Sequence, residues 1–443
     1  MQQHTDHLAG RRRLTRRTTA VLGTTALTLA LAAATVPAAD ATTATPTAPA
    51  SRMIPAHLSA AAAQVGANPT VAGRVAAIDS VTTTLPAVTT AYGVPDLWNQ
   101  GITGAGTTVA VVDSFGDPDA AQVLDSYSTE HGLPPADLSV IAPAGPIPFC
   151  TPELEQQIGC ADWIGETDLD ITMIHAIAPE AHIVIAATPV NETQGFTGLH
   201  EMMTAIDYMA KHHVADVISL SFGTSEDDFP TLGSPKQLDY AFRDAKSAGI
   251  PIVAATGDCG STGNTSTSAS QCGDVFPYRV ASWPGSDPLV TAVGGSVLHL
   301  DADNQQSSPA TLWPDSGGGL SKTYARPAWQ NGVASITNSG QRSLPDIAME
   351  GIEGTSQATP LFGAVLALAT QLHHGPLGFV NTALYQLGPK GAKAGIADIT
   401  EGDNGQYGVP GFAATKGFDI ASGWGTVDPK TFVPALVNQI DRQ

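Results

Sequence analysis

The stretch "TVAVVD", residues 108–113, is an apolar strand-like run that closes on an acid, and its reading decides the fold. Four similar runs follow it: HIVIAAT (182–188), DVISLSFG (216–223), IPIVAATG (250–257) and LVTAVGG (289–295). Between them, LHEMMTAIDYMAKHH and QLDYAFRDAKSAG repeat their apolar residues at helical spacing. Strands alternating with helices predict a doubly wound α/β domain with a mainly parallel sheet flanked by helices. On such a sheet, ligand chemistry gathers at the carboxyl ends of the strands. Asp113, the SFG at 221–223 and the Gly-Asp at 257–258 all fall at those ends.

A chain of 443 residues, 42% hydrophobic, can bury one large core around that sheet. Its first 41 residues read as a secretory signal: basic RRRLTRR (11–17), apolar AVLGTTALTLALAAA, then small residues around VPAADA. The apolar run follows the arginines directly and is short, so a cleaved signal is expected rather than a membrane anchor. Residues 42–85, rich in Ala, Thr, Pro and Val, suit a short propeptide or linker, which leaves 86–443 as the folded domain.

The whole chain carries 20 Lys and Arg against 41 Asp and Glu, and removal of the signal takes away five arginines and two aspartates. So acidic a chain is no partner for nucleic acid. The acidity serves solubility, and it also fits work at low pH, where protonation relaxes self-repulsion.

Cys150, Cys160, Cys259 and Cys272 form two local pairs on an exported chain. Of the three connectivities, Cys150–Cys160 and Cys259–Cys272 are expected because each closes a short loop. Neither the cysteine nor the histidine spacing matches a zinc site.

Chemistry concentrates at two places. In GIEGTSQATP (351–360), Ser356 stands just before the apolar run LFGAVLALA, where a serine is an ordinary helix N-cap. Gly354 lets a ligand approach the backbone, and the helix N-terminus favours negative charge beside the serine oxygen, so Ser356 is also a candidate nucleophile. A nucleophile needs a base, and the chain has no HGTH-like run to supply a histidine. The segment ADWIGETDLDITMIHAIAPEA offers Glu166 and Asp170 instead, four apart and therefore on one helix face. Leu169, Ile171, Met173, Ile174 and Ile177 surround the pair, and burial there shifts carboxyl pKa values.

The combination of ETDLD, ATGDCG and GTSQATP, in that order, resembles the sedolisins, the serine-carboxyl peptidases that share the subtilisin fold and replace its histidine with glutamate. The likeness runs from about residue 86 to 440 and includes FPYRVASWPGSDPLVTAVGGS and SGGGLSKTYARPAWQ. It implies a subtilisin-like fold, with Ser356 as nucleophile, Glu166 as general base, Asp170 as the carboxylate that supports it, and Asp258 as the oxyanion-site acid. Asp113 takes the place where many sedolisins carry one more supporting carboxylate, and Phe222 stands where some carry Trp. The substrates implied are proteins or peptides, cut by a secreted, monomeric endopeptidase or tripeptidyl-peptidase. The chemistry is consistent: near pH 4 a histidine is locked as imidazolium, whereas a glutamate with a reference pKa of about 4.3 can still accept a proton.

IADITEGDNG and TKGFDIASGWG resemble the family's calcium loop. One structural Ca2+ is implied, held by carboxylates of Asp398 and Asp419 and by carbonyls of Ile399, Thr415 and Gly417.

Two features depart from the family. Only MEGIE separates LPDIA (344–348) from the GTS of the nucleophile, where sedolisins carry a long segment, and Glu353 replaces a small residue. The stretch between the signal and AYGVPDLW is also far shorter than a folded prodomain, and autocatalytic trimming between Thr42 and Ala91 is expected. Two alternatives stay open: an inactive relative that binds peptides, and a neutral subtilisin-type peptidase using Asp113, Ser356 and an unidentified histidine.

Overall fold

A computed structural model describes residues 60–443 except 159, 192–195, 267–269 and 353. The expected signal (1–41), the first part of the 42–85 segment and Glu353 lie outside the described residues.

The five apolar runs become the inner strands of an eight-stranded sheet. In chain order its strands are β1 (Thr108–Ser114), β2 (Asp137–Ile141), β3 (His182–Thr188), β4 (Val217–Leu220), β5 (Ile252–Ala255), β6 (Thr291–Leu300), β7 (Gln306–Leu312) and β8 (Ile347–Glu350). They lie in the order β8-β6-β5-β4-β1-β3-β2, every pair parallel, with β7 added antiparallel to β6. Alternation along a strand divides the core. In β1, Val109 and Val111 join one apolar cluster and Ala110 and Val112 the other, so both faces are covered.

The helices used below are α1 (Ala60–Gly66), α2 (Val71–Val81), α3 (Leu85–Ala91), α4 (Ala120–His131), α5 (Ala161–Ile177), α6 (Phe196–His212), α7 (Asp239–Ala248), α8 (Thr355–His373) and α9 (Pro429–Ile440). α6 and α7 cover one face of the sheet, while α5 and α8 cover the other and pack on each other. α5 and α8 are the two elements that carry Glu166 and Ser356, so the packing of the sheet's second face sets the spacing of the expected base and nucleophile. None of the described helices is long and apolar enough to cross a membrane.

Both expected disulfides are present, with Cα separations of 5.5 Å for Cys150–Cys160 and 5.6 Å for Cys259–Cys272. The 42–85 segment differs from a linker. From Ala60 it forms α1 and α2, and Val65, Val75 and Ile78 are buried in the main core. Its alanines favour helix, but helices this short are marginal alone, and packing against α5 and α4 holds them in place.

Candidate active site

β1 delivers Asp113 at its carboxyl end, and β4 and β5 deliver Ser221 and Asp258 just beyond theirs. From the neighbouring face, α5 brings Glu166 and Asp170, one turn apart, and the first turn of α8 brings Ser356. All of these side chains are buried. Asp113, Glu166, Asp170 and Ser356 have no exposed surface, and Asp258 is 5% exposed.

The candidates form one interacting cluster. Burial is the main force that drives the Glu166 pKa well above its ordinary value; the charge of Asp170 adds to it, the Ser356 hydroxyl beside it pulls back, and Asp113 and Asp258 push further upward. Asp170 is likewise driven well up by burial and by Asp113, while the Ser221 hydroxyl, donating to its Oδ1 at 2.7 Å, opposes the rise. Asp113, raised to about 7 by burial, is eased downward by Thr167. No cation among the described residues relieves this group: the acids suppress each other's ionisation and hold protons collectively.

Ser356 is the second residue of α8, and the N-cap position belongs to Gly354, whose φ of 139° suits glycine. The free helix N–H groups turn to Asp258 instead. Its Oδ1 accepts from the Thr355 amide at 2.7 Å and from the Thr355 hydroxyl at 2.8 Å, and its Oδ2 accepts from Gln271 Nε2 at 3.0 Å. Burial still outweighs these donors and raises Asp258 to about 7. Asp258 also lies where two clefts meet. One, of about 220 Å³, is walled by Gln271, Trp313, Asp315, Ile352 and Tyr407. The other is lined by Ser225, Gly257, Gly263 and Val280.

The shortened stretch before Ser356 is accommodated by direct passage. β8 runs parallel to β6 up to Glu350, Gly351 donates its amide to the Ser296 carbonyl at 3.0 Å, and the helix begins at Thr355. The only buried histidine on α5, His175, sits nine residues beyond Glu166, about 13 Å further along the helix at 1.5 Å per residue. It hydrogen-bonds the Pro134 carbonyl at 3.1 Å, and burial lowers its pKa to about 4.

Two hydrogen bonds order the C-terminal loops that carry Asp398 and Asp419. Asp398 Oδ2 accepts from the Gly417 amide at 2.8 Å and Asp419 Oδ2 from the Thr415 amide at 2.7 Å. The other oxygen of Asp398 is buried with no hydrogen-bond partner among the described residues. A buried carboxylate oxygen left without a donor, on a loop tied to the one that carries Asp419, is the kind of ligand a hard cation takes.

Sequence reading missed four contributors: Ser221, Thr355, Gln271 and Arg74. Ser221 had a signal, as it follows a strand in the SFG already placed at a carboxyl end. Gln271 also had one, since the expected Cys259–Cys272 bridge brings it beside Asp258, whereas Arg74, which pairs with Asp117 and Asp168, had none because those partners are distant in the chain.

The subtilase family pattern matches residues 158–387. Kumamolisin from Bacillus sp. (strain MN-32) is 30% identical over 333 residues, which cover 69% of this chain and 55% of that protein. Sedolisin from Pseudomonas sp. (strain 101) is 28% identical over 358 residues, covering 74% and 57%. The chain thus spans little more than half the length of these relatives. Among solved structures, Pseudomonas sedolisin, a serine-carboxyl proteinase complexed with two molecules of pseudo-iodotyrostatin, superposes with a TM-score of 0.67 at 25% identity, covering 81% of this chain and 98% of that one. The parallel sheet, the motifs in order and these matches agree: the chain belongs to the subtilase family, in its sedolisin branch.

Proposed function

We propose that this protein is a secreted, monomeric, acid-active serine-carboxyl peptidase that hydrolyses peptide bonds through an acyl-enzyme on Ser356. The observation that carries the reading is the cation-free carboxyl cluster in which Glu166 faces both Ser356 and Asp170. In the reaction, Ser356 Oγ attacks the peptide carbonyl carbon and its proton passes to Glu166 in its ionised form, which the cluster allows when Asp170 keeps the proton the two acids share. The carbonyl electron pair moves to oxygen, where a protonated Asp258 donates a hydrogen bond. The amine leaves with the proton from Glu166, and water repeats the sequence on the ester.

Asp170 and Asp113 supply a place for the proton to be shared, and Ser221 fixes Asp170. The pKa of about 7 keeps Asp258 a donor through the acid range and removes the donor above it. Asp398, Ile399, Thr415, Gly417 and Asp419 would hold one calcium ion, which supplies positive charge that ties the two C-terminal loops together.

Digestion of denatured protein from pH 3 to pH 8, with the wild type beside Ser356→Ala and Glu166→Gln, tests this reading. Acid-side cleavage absent from both variants is the expected result. The complete burial of Ser356 favours one other reading, a relative that binds peptides without turnover. A folded wild type silent at every pH supports that alternative, and neutral-pH cleavage that survives Glu166→Gln contradicts the carboxyl mechanism.

A further inference from the structure

Arg74 is the only lysine or arginine between Arg52 and Lys211, and it is 4% exposed. From α2 its guanidinium reaches three acids: Nη1 lies 3.3 Å from Asp117 Oδ1, Nη2 lies 3.6 Å from Asp119 Oδ2, and Nε lies 3.2 Å from Asp168 Oδ2. Asp117 and Asp119 belong to the loop that leaves Asp113, and Asp168 sits on α5 between Glu166 and Asp170. One buried cation therefore binds the two elements that deliver three of the candidate carboxylates.

The contact is close along its whole length. α1 crosses α5 at paired glycines: a Cβ on Gly165 would meet the Ala62 carbonyl oxygen at 1.8 Å, and one on Gly66 the Ala161 carbonyl oxygen at 2.1 Å. Beyond α2, Thr83 donates its hydroxyl to Glu350 Oε1 at 2.6 Å, at the end of β8 and six residues before Ser356. The same segment thus touches the base helix, the Asp113 loop and the strand that feeds the nucleophile.

We propose that residues 60–83 are a permanent clamp of the enzyme rather than a detachable leader, with Arg74 and Thr83 as positioning residues that hold α5 and β8 in register. Any maturation cut then falls before Ala60. The shortened passage from β8 to Ser356 leaves few residues of its own to fix the nucleophile, and the clamp supplies that restraint from outside. The proposal rests on the peptidase reading for its effect on rate, but not for the docking itself.

The test uses the full secreted chain after acid incubation. The mature N-terminus is read by mass spectrometry, Arg74 is challenged with trypsin at native pH, and kcat, KM and the pH profile are compared for wild type, Arg74→Met, Arg74→Lys and Thr83→Val. The expected results are a start upstream of Ala60, no tryptic cut at Arg74, and a loss of about 10²-fold in kcat for Arg74→Met with KM little changed, as for a displacement of about 1 Å at the reacting groups. Arg74→Lys, a point charge without the planar fork, should restore part of the loss, and Thr83→Val should give a smaller fall in kcat. A fully active enzyme that begins after Val81, or tryptic cleavage at Arg74 with activity intact, overturns the clamp. So does an unchanged kcat and pH profile in both Arg74→Met and Thr83→Val. If Arg74→Met does not fold, Arg74→Lys and Thr83→Val carry the kinetic test. If the wild type itself is inactive, the peptidase reading fails while protection of Arg74 still decides whether the segment is docked.

Discussion

Helix α5 carries acids on opposite sides, half a turn apart, and the two sides solve the same electrostatic problem differently. Toward the sheet's carboxyl edge, Glu166 and Asp170 lie buried with Asp113 and Asp258 and no cation among them, and burial raises all four pKa values. On the other flank, burial also raises Asp168, but there Arg74 works against the rise and forms ion pairs with three acids. A buried acid with a cation is a structural tie that stays put, whereas buried acids without one are left to exchange protons. On the proposed function, the difference separates a candidate catalytic cluster from a supporting one on a single helix.

Substitutions that neutralise one acid on each side should break this comparison most sharply. Glu166→Gln is expected to lower kcat/KM by about 10⁴-fold or more, and Asp168→Asn, which keeps an oxygen for Arg74, by no more than about tenfold, as read from peptide hydrolysis at acid pH. Equal losses would mean that the helix matters only as a scaffold.

Next in size are substitutions of Asp258. In Asp258→Asn an amide still donates from its NH2, so kcat should fall by no more than about tenfold, whereas Asp258→Ala, which removes the donor, should cost about 10²- to 10³-fold. The wild-type rate should fall as pH rises through about 7, where Asp258 gives up its proton, and Asp258→Asn should lack that alkaline limb because an amide does not titrate there. A variant whose alkaline limb is unchanged would remove Asp258 from that role.

Stability against pH sharpens the contrast further. Asp113, Asp258 and Glu350 are each raised to about 7, chiefly by burial. The folded chain therefore retains protons that the unfolded chain releases near pH 4, so their contribution is complete below about pH 4 and is lost as pH climbs through about 7. Thermal melting should accordingly drop by about 5 °C or more between pH 4.5 and pH 7.5. A higher melting point at pH 7.5 would contradict the direction of these shifts.

The smallest expected effect is at the C-terminal loops. Chelation should lower the melting temperature by a few °C, with calcium restoring it, and Asp398→Asn should abolish the response. An unresponsive wild type would assign Asp398 and Asp419 to turns alone.

Much of the site was legible in the sequence because its signals are local. The five apolar runs became sheet strands, the spacing of Glu166 and Asp170 became one helix face, and both short-range cysteine pairs are joined. What escaped depends on distance along the chain. Nothing around Arg74 shows that its partners lie 43 and 94 positions away, and nothing in the Ala- and Val-rich residues 60–81 shows that α5 waits to pack them. Alanine there favours helix, but pieces as short as α1 and α2 are marginal alone, and tertiary burial decides the outcome. The cap reading of Ser356 was a fair local inference, yet Gly354 takes the cap position and Asp258, remote in sequence, satisfies the helix end.

The central claim is that Glu166 activates Ser356, and rapid acid quench of the enzyme with an ester or peptide substrate tests it most directly. Mass spectrometry of the peptide containing Ser356 then reads the acyl adduct. The wild type should form an adduct in the acid range, and Glu166→Gln and Ser356→Ala should form none. An adduct that forms near neutral pH in Glu166→Gln, or one on any residue other than Ser356, would contradict it.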